Sequence, residues 1–136
     1  MAHERALDFI RTQHRGVLAT YRQDGQVQMS PVAVAVDDES RVVISTRETA
    51  MKTRNLRRNP RASVCALSER FFGAWYSVEG NVEILSLPEA LEPLVDYYRR
   101  VSGEHPDWQE YREAMVREQR VLVRITVDRS GPTQSG

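Results

Sequence analysis

One short segment of the sequence gathers the residue types that bind anions. Ser45–Pro60 reads STRETAMKTRNLRRNP and contains Lys52, the only lysine among the 19 cationic side chains of the chain. A lysine presents a compact ammonium on a flexible stem, whereas an arginine presents a planar fork. Because lysine occurs only at this position, we predict that Lys52 contacts a phosphate. The alternative is that a lysine stands here by chance.

The surroundings of Lys52 are also typical of an anion site. The hydroxyls of Ser45, Thr46 and Thr49 lie where a predicted strand runs into a predicted helix. The first backbone N–H groups of a helix have no partner inside it, and the helix dipole favours an anion at that end. A cation in this first turn is unfavourable unless such an anion is bound. The helix is predicted to end at Asn59, because a residue before proline avoids the α region.

Four arginines follow at three- and four-residue spacings and are therefore predicted to share one face: Arg54, Arg57, Arg58 and Arg61. Like charges at these spacings repel by about 0.2–0.5 kcal/mol per pair. Their position toward the C-terminal end of the helix offsets part of that cost. We expect an anionic ligand, or acids from a second subunit, to face them.

The rest of the sequence carries no conventional catalytic motif. It has no GxSxG, HExxH or GxxxxGK pattern. Its three histidines are scattered, so no metal site is predicted. The carboxylates cluster on predicted helices, where they are typical of a solvated face. If the protein is an enzyme, we expect its reactive group to come from a cofactor.

Length and composition indicate a single domain. The 136 residues carry a formal net charge of zero and one cysteine, Cys65, which we expect to be a buried, inert thiol. The domain is predicted over residues 1–128, and residues 129–136 are predicted as a polar tail. With no apolar run of membrane-spanning length and no signal peptide, a cytoplasmic location without membrane contact is expected. The basic residues are local, which argues against nucleic-acid binding.

Six β-rich runs and a few helical segments must position these residues. The strands read GVLATYR, QVQMSPVAVAV, RVVIST, RASVCALSE, AWYSVEGNVEIL and RVLVRITVD. Asp24-Gly25 predicts a two-residue hairpin, and the first three strands are expected to form a meander. Pro31 predicts a break in the second strand, Gly80 a bulge in the fifth, and Ser86 the start of a helix. The pattern favours an antiparallel barrel or an α+β arrangement, and we expect a homodimer to bury the apolar strand faces that a small barrel leaves outside.

Three pieces of the chain carry a resemblance to a known family. They are GVLATYRQDGQVQMSPV, VVISTRETAMKTRNLRRNPRASV and WYSVEGNVEI, in this order, and the resembling region runs from residue 5 to about residue 127. The chain resembles the pyridoxamine 5′-phosphate oxidase-like split-barrel flavoproteins. It looks most like their deazaflavin-dependent branch, which binds coenzyme F420. The resemblance implies a mainly β fold of the FMN-binding type, a six-stranded antiparallel split barrel with small flanking helices.

The resemblance also implies a homodimer with two cofactors in grooves at the subunit interface. At the matching positions, Lys52 contacts the cofactor phosphate, and Ser45, Thr46 and Met51 contact the ring or its linker. The segment from Gln28 to Val32 lies along the deazaflavin, largely through its backbone.

Further contacts are implied for the second half of the helix and for a later strand. Asn55 and Arg58 match contacts to the phosphate or to an oligoglutamate tail, while Ala74 and Trp75 approach the cofactor from the other side. Packing in the core or in the dimer is the alternative for Trp75. The implied cofactor-binding residues are Gln28, Met29, Ser30, Pro31, Val32, Ser45, Thr46, Met51, Lys52, Asn55, Arg58, Ala74 and Trp75.

The implied activity is an F420-dependent oxidoreductase that transfers hydride between reduced deazaflavin and a small organic substrate. No catalytic residue is assigned, since Tyr21, Tyr76 or a water are open candidates for the proton donor. Pyridoxamine phosphate oxidases carry an arginine-rich C-terminal segment, whereas this sequence ends in RITVDRSGPTQSG, so that activity is not expected.

Other functions use the same residues. FMN is the alternative cofactor because its phosphate could contact the same lysine, and a haem-binding split barrel is a further alternative. An F420 carrier without turnover needs the same groove, and a nucleic-acid module could use the arginine face. F420 is favoured because an acidic tail suits Arg54, Arg57 and Arg58.

Overall fold

The computed structural model describes residues 3–132, which form seven strands and four helices. In chain order these are α1 (Glu4–Thr12), β1 (Arg15–Tyr21), β2 (Val27–Ala33), β3 (Ala35–Val36), β4 (Val42–Arg47), α2 (Met51–Arg58), β5 (Arg61–Leu67), β6 (Trp75–Leu85), α3 (Leu91–Ser102), α4 (Trp108–Arg117) and β7 (Arg120–Gly131). This confirms the predicted mainly β class with small flanking helices. Seven strands replace the predicted six because the second predicted strand divides into β2 and β3.

All strands belong to one antiparallel sheet in the order β2-β1-β5-β6-β7-β4-β3. The sheet curls until β2 approaches β4, which makes it a half-barrel. The predicted meander of the first three strands is present in part: β1 pairs with β2, and β3, the end of the second predicted strand, pairs with β4 over two residues. The longer partner of β4 is β7, which was not predicted. Hydrophobic alternation identifies strands but carries no information on which distant strand each one pairs with.

The chain crosses between the two edges of the sheet at Val34. Pro31 was the predicted break, but it stays in register opposite Val17, which an edge strand tolerates because one side of its ladder needs no donor. Val34 instead turns its N–H to the carbonyl oxygen of His14, at 2.9 Å, and its side chain is fully buried. The next two residues begin the opposite edge as β3.

The hairpin and the bulge that glycines predict are both present. In the β1–β2 turn only Gly25 has a positive φ, of 85°, so the predicted two-residue turn type is wrong. Arg22 donates its N–H to the carbonyl of Gln26 at 2.8 Å and closes a three-residue loop. The register between β6 and β7 shifts at Gly80, where an added Cβ would lie 2.0 Å from the Thr126 carbonyl oxygen. Only glycine fits there.

The helices differ from prediction in one place. Helix α2 ends before Asn59, as predicted, but α3 begins at Leu91 and not after Ser86. The intervening residues form a turn in which the Ala90 N–H donates to the Ser86 carbonyl at 3.0 Å. Strand β7 continues to Gly131, into the predicted polar tail, and residues 133–136 lie outside the described residues. In the described part of the chain, no helix combines the length and the hydropathy that crossing a membrane requires.

Two separate cores hold the fold together. The inner face of the half-barrel packs with α1 and α2, and its largest fully buried side chains include Ile10, Leu18, Ile44, Leu56 and Ile125. A second core lies between the outer faces of β3, β4 and β7 and the helices α3 and α4. It contains Ala35, Val43, Leu94, Val95 and Leu122. Cys65, predicted to be buried, is only half-buried on β5.

Candidate functional site

The end of β4 positions Ser45 and Thr46 on opposite faces of the sheet, because side chains alternate along a strand. Thr46 is 1% exposed, and its hydroxyl lies 3.3 Å from that of Thr53, which donates to the Arg47 carbonyl at 2.6 Å. Ser45 lines a cavity of about 460 Å³ beneath α3 and α4, together with Tyr97 and other side chains. Ser45 and Thr46 were predicted to contact the same ligand, but their side chains point to opposite faces of the sheet.

Lys52 lies in the first turn of α2 and is half-buried. Within residues 3–132, its ammonium forms no hydrogen bond and no ion pair with another side chain. Burial lowers the pKa of Lys52, and the positive charge of Arg120 lowers it further. Arg120 donates to Glu118 at 3.0 Å, and Arg47 lies 3.6 Å from the same carboxylate. Glu118 thus pairs with two cations and Lys52 with no described carboxylate, so this corner has an excess of positive charge that an anion would relieve.

A second cavity, the hairpin cleft, lies between the β1–β2 turn and α2. It has a volume of about 470 Å³ and is lined by Arg22, Gln23, Asp24, Met51, Asn55 and Arg58. Met51, Asn55 and Arg58 are four and three residues apart, so they lie on one side of the helix. Lys52 does not line this cleft. The predicted cofactor residues of α2 therefore lie in two places: Met51, Asn55 and Arg58 line the hairpin cleft, whereas Lys52 lies near Arg120.

A buried chain of hydrogen bonds runs behind the hairpin cleft. Arg58 donates to the Asn55 side-chain oxygen at 2.9 Å and to the Tyr21 carbonyl at 3.0 Å. Asn55 donates to the Thr20 hydroxyl at 3.1 Å, and Thr20 donates to Gln28 at 3.2 Å. Thr20 is fully buried and Asn55 is 1% exposed. Sequence reasoning missed Thr20, although a hydroxyl on the inward face of the apolar strand RGVLATY is an available signal.

The predicted segment along β2 also divides by alternation. Gln28, Ser30 and Val32 are half-buried, whereas Met29 and Pro31 are exposed. The Ser30 hydroxyl oxygen is buried and has no hydrogen-bond partner among the described residues. An unpaired buried hydroxyl is costly, so this position favours a ligand or a water that reaches it.

Ala74 and Trp75 lie far from the hairpin cleft of the same chain. Both are exposed, and Trp75 pairs with Leu67. Leu67 pairs in turn with Arg15, which is five residues along β1 from Thr20. Five residues correspond to about 17 Å along β1. Trp75 lies farther still from Thr20, because it is two strands away from β1 across the sheet.

The four arginines predicted to share an anion-facing surface have different surroundings. Arg57 donates to Glu48 at 2.7 Å, and the pKa of this glutamate is lowered first by that hydrogen bond. Arg61 pairs with Asp128 and Glu79. Arg54 is exposed and forms no ion pair with another described residue. The expected common surface is thus largely neutralised from within the chain, and Arg54 and Arg58 are left to face an external anion.

Comparison with known proteins identifies the family. A family model described as pyridoxamine 5′-phosphate oxidase matches residues 2–133. The chain belongs to this family. The match confirms the family recognised from the sequence pieces, and the half-barrel sheet is consistent with it.

Solved structures resemble this family member over most of its length. A conserved hypothetical protein from Mycobacterium tuberculosis is 29% identical, with 100% of this chain and 92% of that chain covered and a TM-score of 0.77. A protein described as an F420 reductase is 21% identical, with coverage of 91% and 94% and a TM-score of 0.71. A heme-binding protein from Mycobacterium smegmatis is 19% identical, with coverage of 92% and 52% and a TM-score of 0.68. The last two likenesses show the fold alone.

Metal chemistry finds no support in the geometry. Within residues 3–132, no group of three or more histidine, cysteine, aspartate or glutamate side chains is arranged to hold a metal ion.

Proposed function

We propose that this family member is an F420-binding oxidoreductase in which Lys52 contacts the cofactor phosphate. The observation that carries the proposal is the half-buried side chain of Lys52, which has no counter-ion within residues 3–132 and lies near the cation Arg120. A buried, unpaired charge is unfavourable, and a phosphate at this corner would supply both hydrogen-bond acceptors and negative charge. When bound, a reduced deazaflavin supplies a hydride for a small organic substrate.

The residues of β2 fit the same ligand. The unpaired buried hydroxyl of Ser30 lies on the strand expected to run along the ring. Gln28 is oriented by the Thr20 hydroxyl at 3.2 Å, so its position on the strand is fixed before any ligand arrives. Preorganised groups of this kind bind with less loss of conformational entropy. Tyr21 and Tyr76 are both half-buried and are kept as candidates for a proton donor.

A homodimer with the cofactor at its interface is part of the proposal. The outer face of β2, β1, β5 and the start of β6 carries apolar side chains that are exposed or half-buried: Val17, Ala19, Met29, Pro31, Leu67 and Trp75. A contiguous apolar patch on a sheet face is typical of a protein–protein interface. Trp75 is separated from Lys52 and α2 by most of the sheet, and in the proposed dimer a contact between Trp75 and the cofactor comes from the second copy.

Titration with F420 tests this function directly. Lys52→Ala is expected to weaken F420 binding at least about tenfold, because a charge-assisted hydrogen bond contributes about 1.5–3 kcal/mol. Arg5→Ala is the matched control, since it removes one exposed cation from α1. Affinity would be measured by fluorescence or calorimetry, with circular dichroism to verify the fold. Equal affinity of the Lys52 variant and wild type would reject the phosphate contact.

The same titration separates the alternatives. FMN is the second candidate because its phosphate could use the unpaired Lys52, and parallel titrations with FMN and haemin rank the three ligands. If wild type binds F420, mixing it with reduced F420 and a substrate panel distinguishes an enzyme from a carrier. Return of the oxidised deazaflavin absorbance indicates turnover, and stable reduced F420 with every substrate would favour the carrier.

A further inference from the structure

The outer cavity, of about 460 Å³ beneath α3 and α4, lies where β4 carries a small residue on its covered face. Val43, Ser45 and Arg47 alternate onto this face. Val43 is almost fully buried in the second core, and Arg47 turns to Glu118 at 3.6 Å. Ser45, between them, has too few atoms to fill the space under the helices. The volume that remains is within the range of roughly 300–1,000 Å³ that is typical of small-molecule sites.

Three aromatic rings, those of Tyr98, His105 and Tyr111, form one wall of the outer cavity, the ring wall. Their centroids are 5.0, 5.1 and 5.5 Å apart. Trp108 packs against all three from outside the lining, and its indole N–H donates to Glu104 at 2.9 Å. Because each ring is held by its neighbours, the ring wall can pack against a further ring with little loss of side-chain freedom.

Two hydroxyl groups of the lining have no partner within the described chain. The Tyr97 and Tyr111 hydroxyls donate to backbone carbonyls at 2.9 and 2.8 Å, so they are already used. The hydroxyls of Ser45 and Tyr98 also belong to lining residues, and neither forms a hydrogen bond with another residue in 3–132. These two groups can therefore bond to a ligand without breaking a bond of the fold.

His105 adds a donor whose proton position is defined. Its Nδ1 accepts the backbone N–H of Asp107 at 2.9 Å, and a backbone N–H can only donate. The neutral imidazole therefore carries its proton on Nε2, and this N–H donates to no residue of the described chain. The lining thus contains one ring N–H and two hydroxyls that suit an acceptor atom of a ligand.

The carboxylates and guanidinium groups of the lining neutralise one another. Glu110 accepts from Arg117 and Glu118 accepts from Arg120, each at 3.0 Å. Two anions thus meet two cations, and Lys52 lies outside the lining. An ion that entered the outer cavity would lose hydration and find no unpaired opposite charge, which is unfavourable. The lining therefore favours an uncharged ligand.

We propose that the outer cavity binds an uncharged, planar aromatic molecule that carries a hydrogen-bond acceptor such as a carbonyl oxygen. The ring wall packs against the aromatic system, and the His105 Nε2–H with the Ser45 and Tyr98 hydroxyls donates to the acceptor. This binding needs no cofactor, so it goes beyond the proposed function.

Calorimetric titration of the full chain with three probes tests the ligand class. 2-Quinolone is planar, aromatic and uncharged and has a carbonyl acceptor. Its fully saturated lactam keeps the acceptor but has no aromatic ring, and 2-naphthoate keeps two aromatic rings but is an anion. 2-Quinolone is expected to bind at least about tenfold more tightly than either of the others. Equal affinity of the saturated lactam, tighter binding of 2-naphthoate, or no binding of 2-quinolone would overturn the proposal.

A variant that fills the outer cavity tests the place of binding. Ala114 lies on α4 and lines the cavity, so Ala114→Leu is expected to weaken 2-quinolone binding about tenfold or more. Val116→Leu is the matched control, because it also places a leucine on α4 but at a position that does not line the cavity. Circular dichroism and urea denaturation verify the fold of both variants. Equal 2-quinolone affinity in the two variants would place the ligand elsewhere.

A second variant keeps the aromatic ring and removes the donor. His105→Phe should bind 2-quinolone several-fold less tightly than wild type, whereas naphthalene, which has no acceptor, should bind the two proteins equally. A His105→Phe variant that lost affinity for both probes to the same extent would show that His105 acts only through packing, which would reject its role as a donor.

The outcomes separate this proposal from the proposed function. 2-Quinolone binding without F420 binding would support the outer cavity and reject the cofactor. F420 binding without 2-quinolone binding would support the cofactor and reject the outer cavity as an aromatic site. In Lys52→Ala, 2-quinolone affinity should equal that of wild type, since Lys52 does not line the outer cavity. A loss in that variant would place the probe at the Lys52 corner and overturn the proposal.

Discussion

The two halves of the sheet's outer surface are covered in different ways. Over β3, β4 and β7, helices α3 and α4 bury Val43 and Leu122 to about one-fiftieth of their free exposure, 2% each. Over β2, β1 and the start of β6, Met29 is 67% exposed and Trp75 is 39% exposed. Both halves carry apolar side chains at the outward positions, yet only one half has its second layer within the chain.

One half of the outer apolar surface is therefore buried within the monomer, whereas the other half would be buried only by a partner. Apolar surface is buried in proteins because removal from water contributes about 25 cal/mol per Å². The covered half gains this contribution on folding. The uncovered half would gain it only on association, which is the physical reason for proposing a homodimer.

The largest expected effect is loss of the dimer on placing a charge in the uncovered half. Met29→Glu would bury an unpaired carboxylate in each subunit of the dimer, which costs several kcal/mol and is expected to weaken association a hundredfold or more, roughly. Val116→Glu is the matched control, because Val116 is 61% exposed on α4, away from the proposed interface. Analytical ultracentrifugation measures both. A monomeric wild type, or equal effects of the two variants, would contradict the comparison.

A substitution in the covered half should lower the free energy of unfolding without changing the dimerisation equilibrium. Leu94 is fully buried in the second core, and Leu94→Ala is expected to lower the free energy of unfolding by about 2–5 kcal/mol. Urea denaturation at several protein concentrations measures this loss. Leu91→Ala on the same helix removes a half-buried leucine and should cost clearly less. If the Leu94 variant lost stability only at low concentration, α3 would belong to the interface.

The smallest expected effect is a pH dependence within the covered half. Burial is the first cause that raises the pKa of Tyr111, from 10.0 to about 12. The folded state therefore favours the neutral phenol, so its contribution is fully present below pH 10 and is lost as the pH rises toward 12. Two pKa units correspond to roughly 2–3 kcal/mol.

Tyr111→Phe tests this pH dependence. The variant should be about 1 kcal/mol less stable at neutral pH, because Tyr111 donates to the Leu94 carbonyl at 2.8 Å. Its free energy of unfolding should then fall less steeply than that of wild type between pH 10 and 12. Parallel curves for the two proteins across this range would show that Tyr111 does not titrate differently in the folded state.

Local features of the sequence were predictable because their causes are local. The end of α2 at Asn59 follows from the next proline, and the bulge at Gly80 follows from a glycine inside a strand pattern. Lys52 could be singled out from composition alone. Its assignment to a phosphate is still a prediction, since it depends on a ligand and not on the fold.

Features set by distant partners could not be predicted. Arg57 was expected to face a ligand, but the turn before α2 brings Glu48 to it at 2.7 Å. Ser45 and Thr46 were grouped because they are adjacent, although alternation places one in the cavity beneath α3 and the other in the inner core. Thr20 was missed because its partner Asn55 is 35 residues away. The errors at Arg57 and Thr20 concern which elements meet in space, whereas alternation along β4 was a local signal for separating Ser45 from Thr46.

The pairing of β4 with β7 also decides when the corner around Lys52 can exist during synthesis of the protein. Arg47 is in register with Arg120, so the third cation of this corner is made only when β7, the last strand of the described residues, is synthesised. A nascent chain that has completed α2 has the lysine but lacks Arg120 and the rest of β7, which pairs with the end of β4. Pairings this distant in sequence form slowly, because a long loop must close first. A growing polypeptide therefore cannot assemble this corner until β7 has been synthesised.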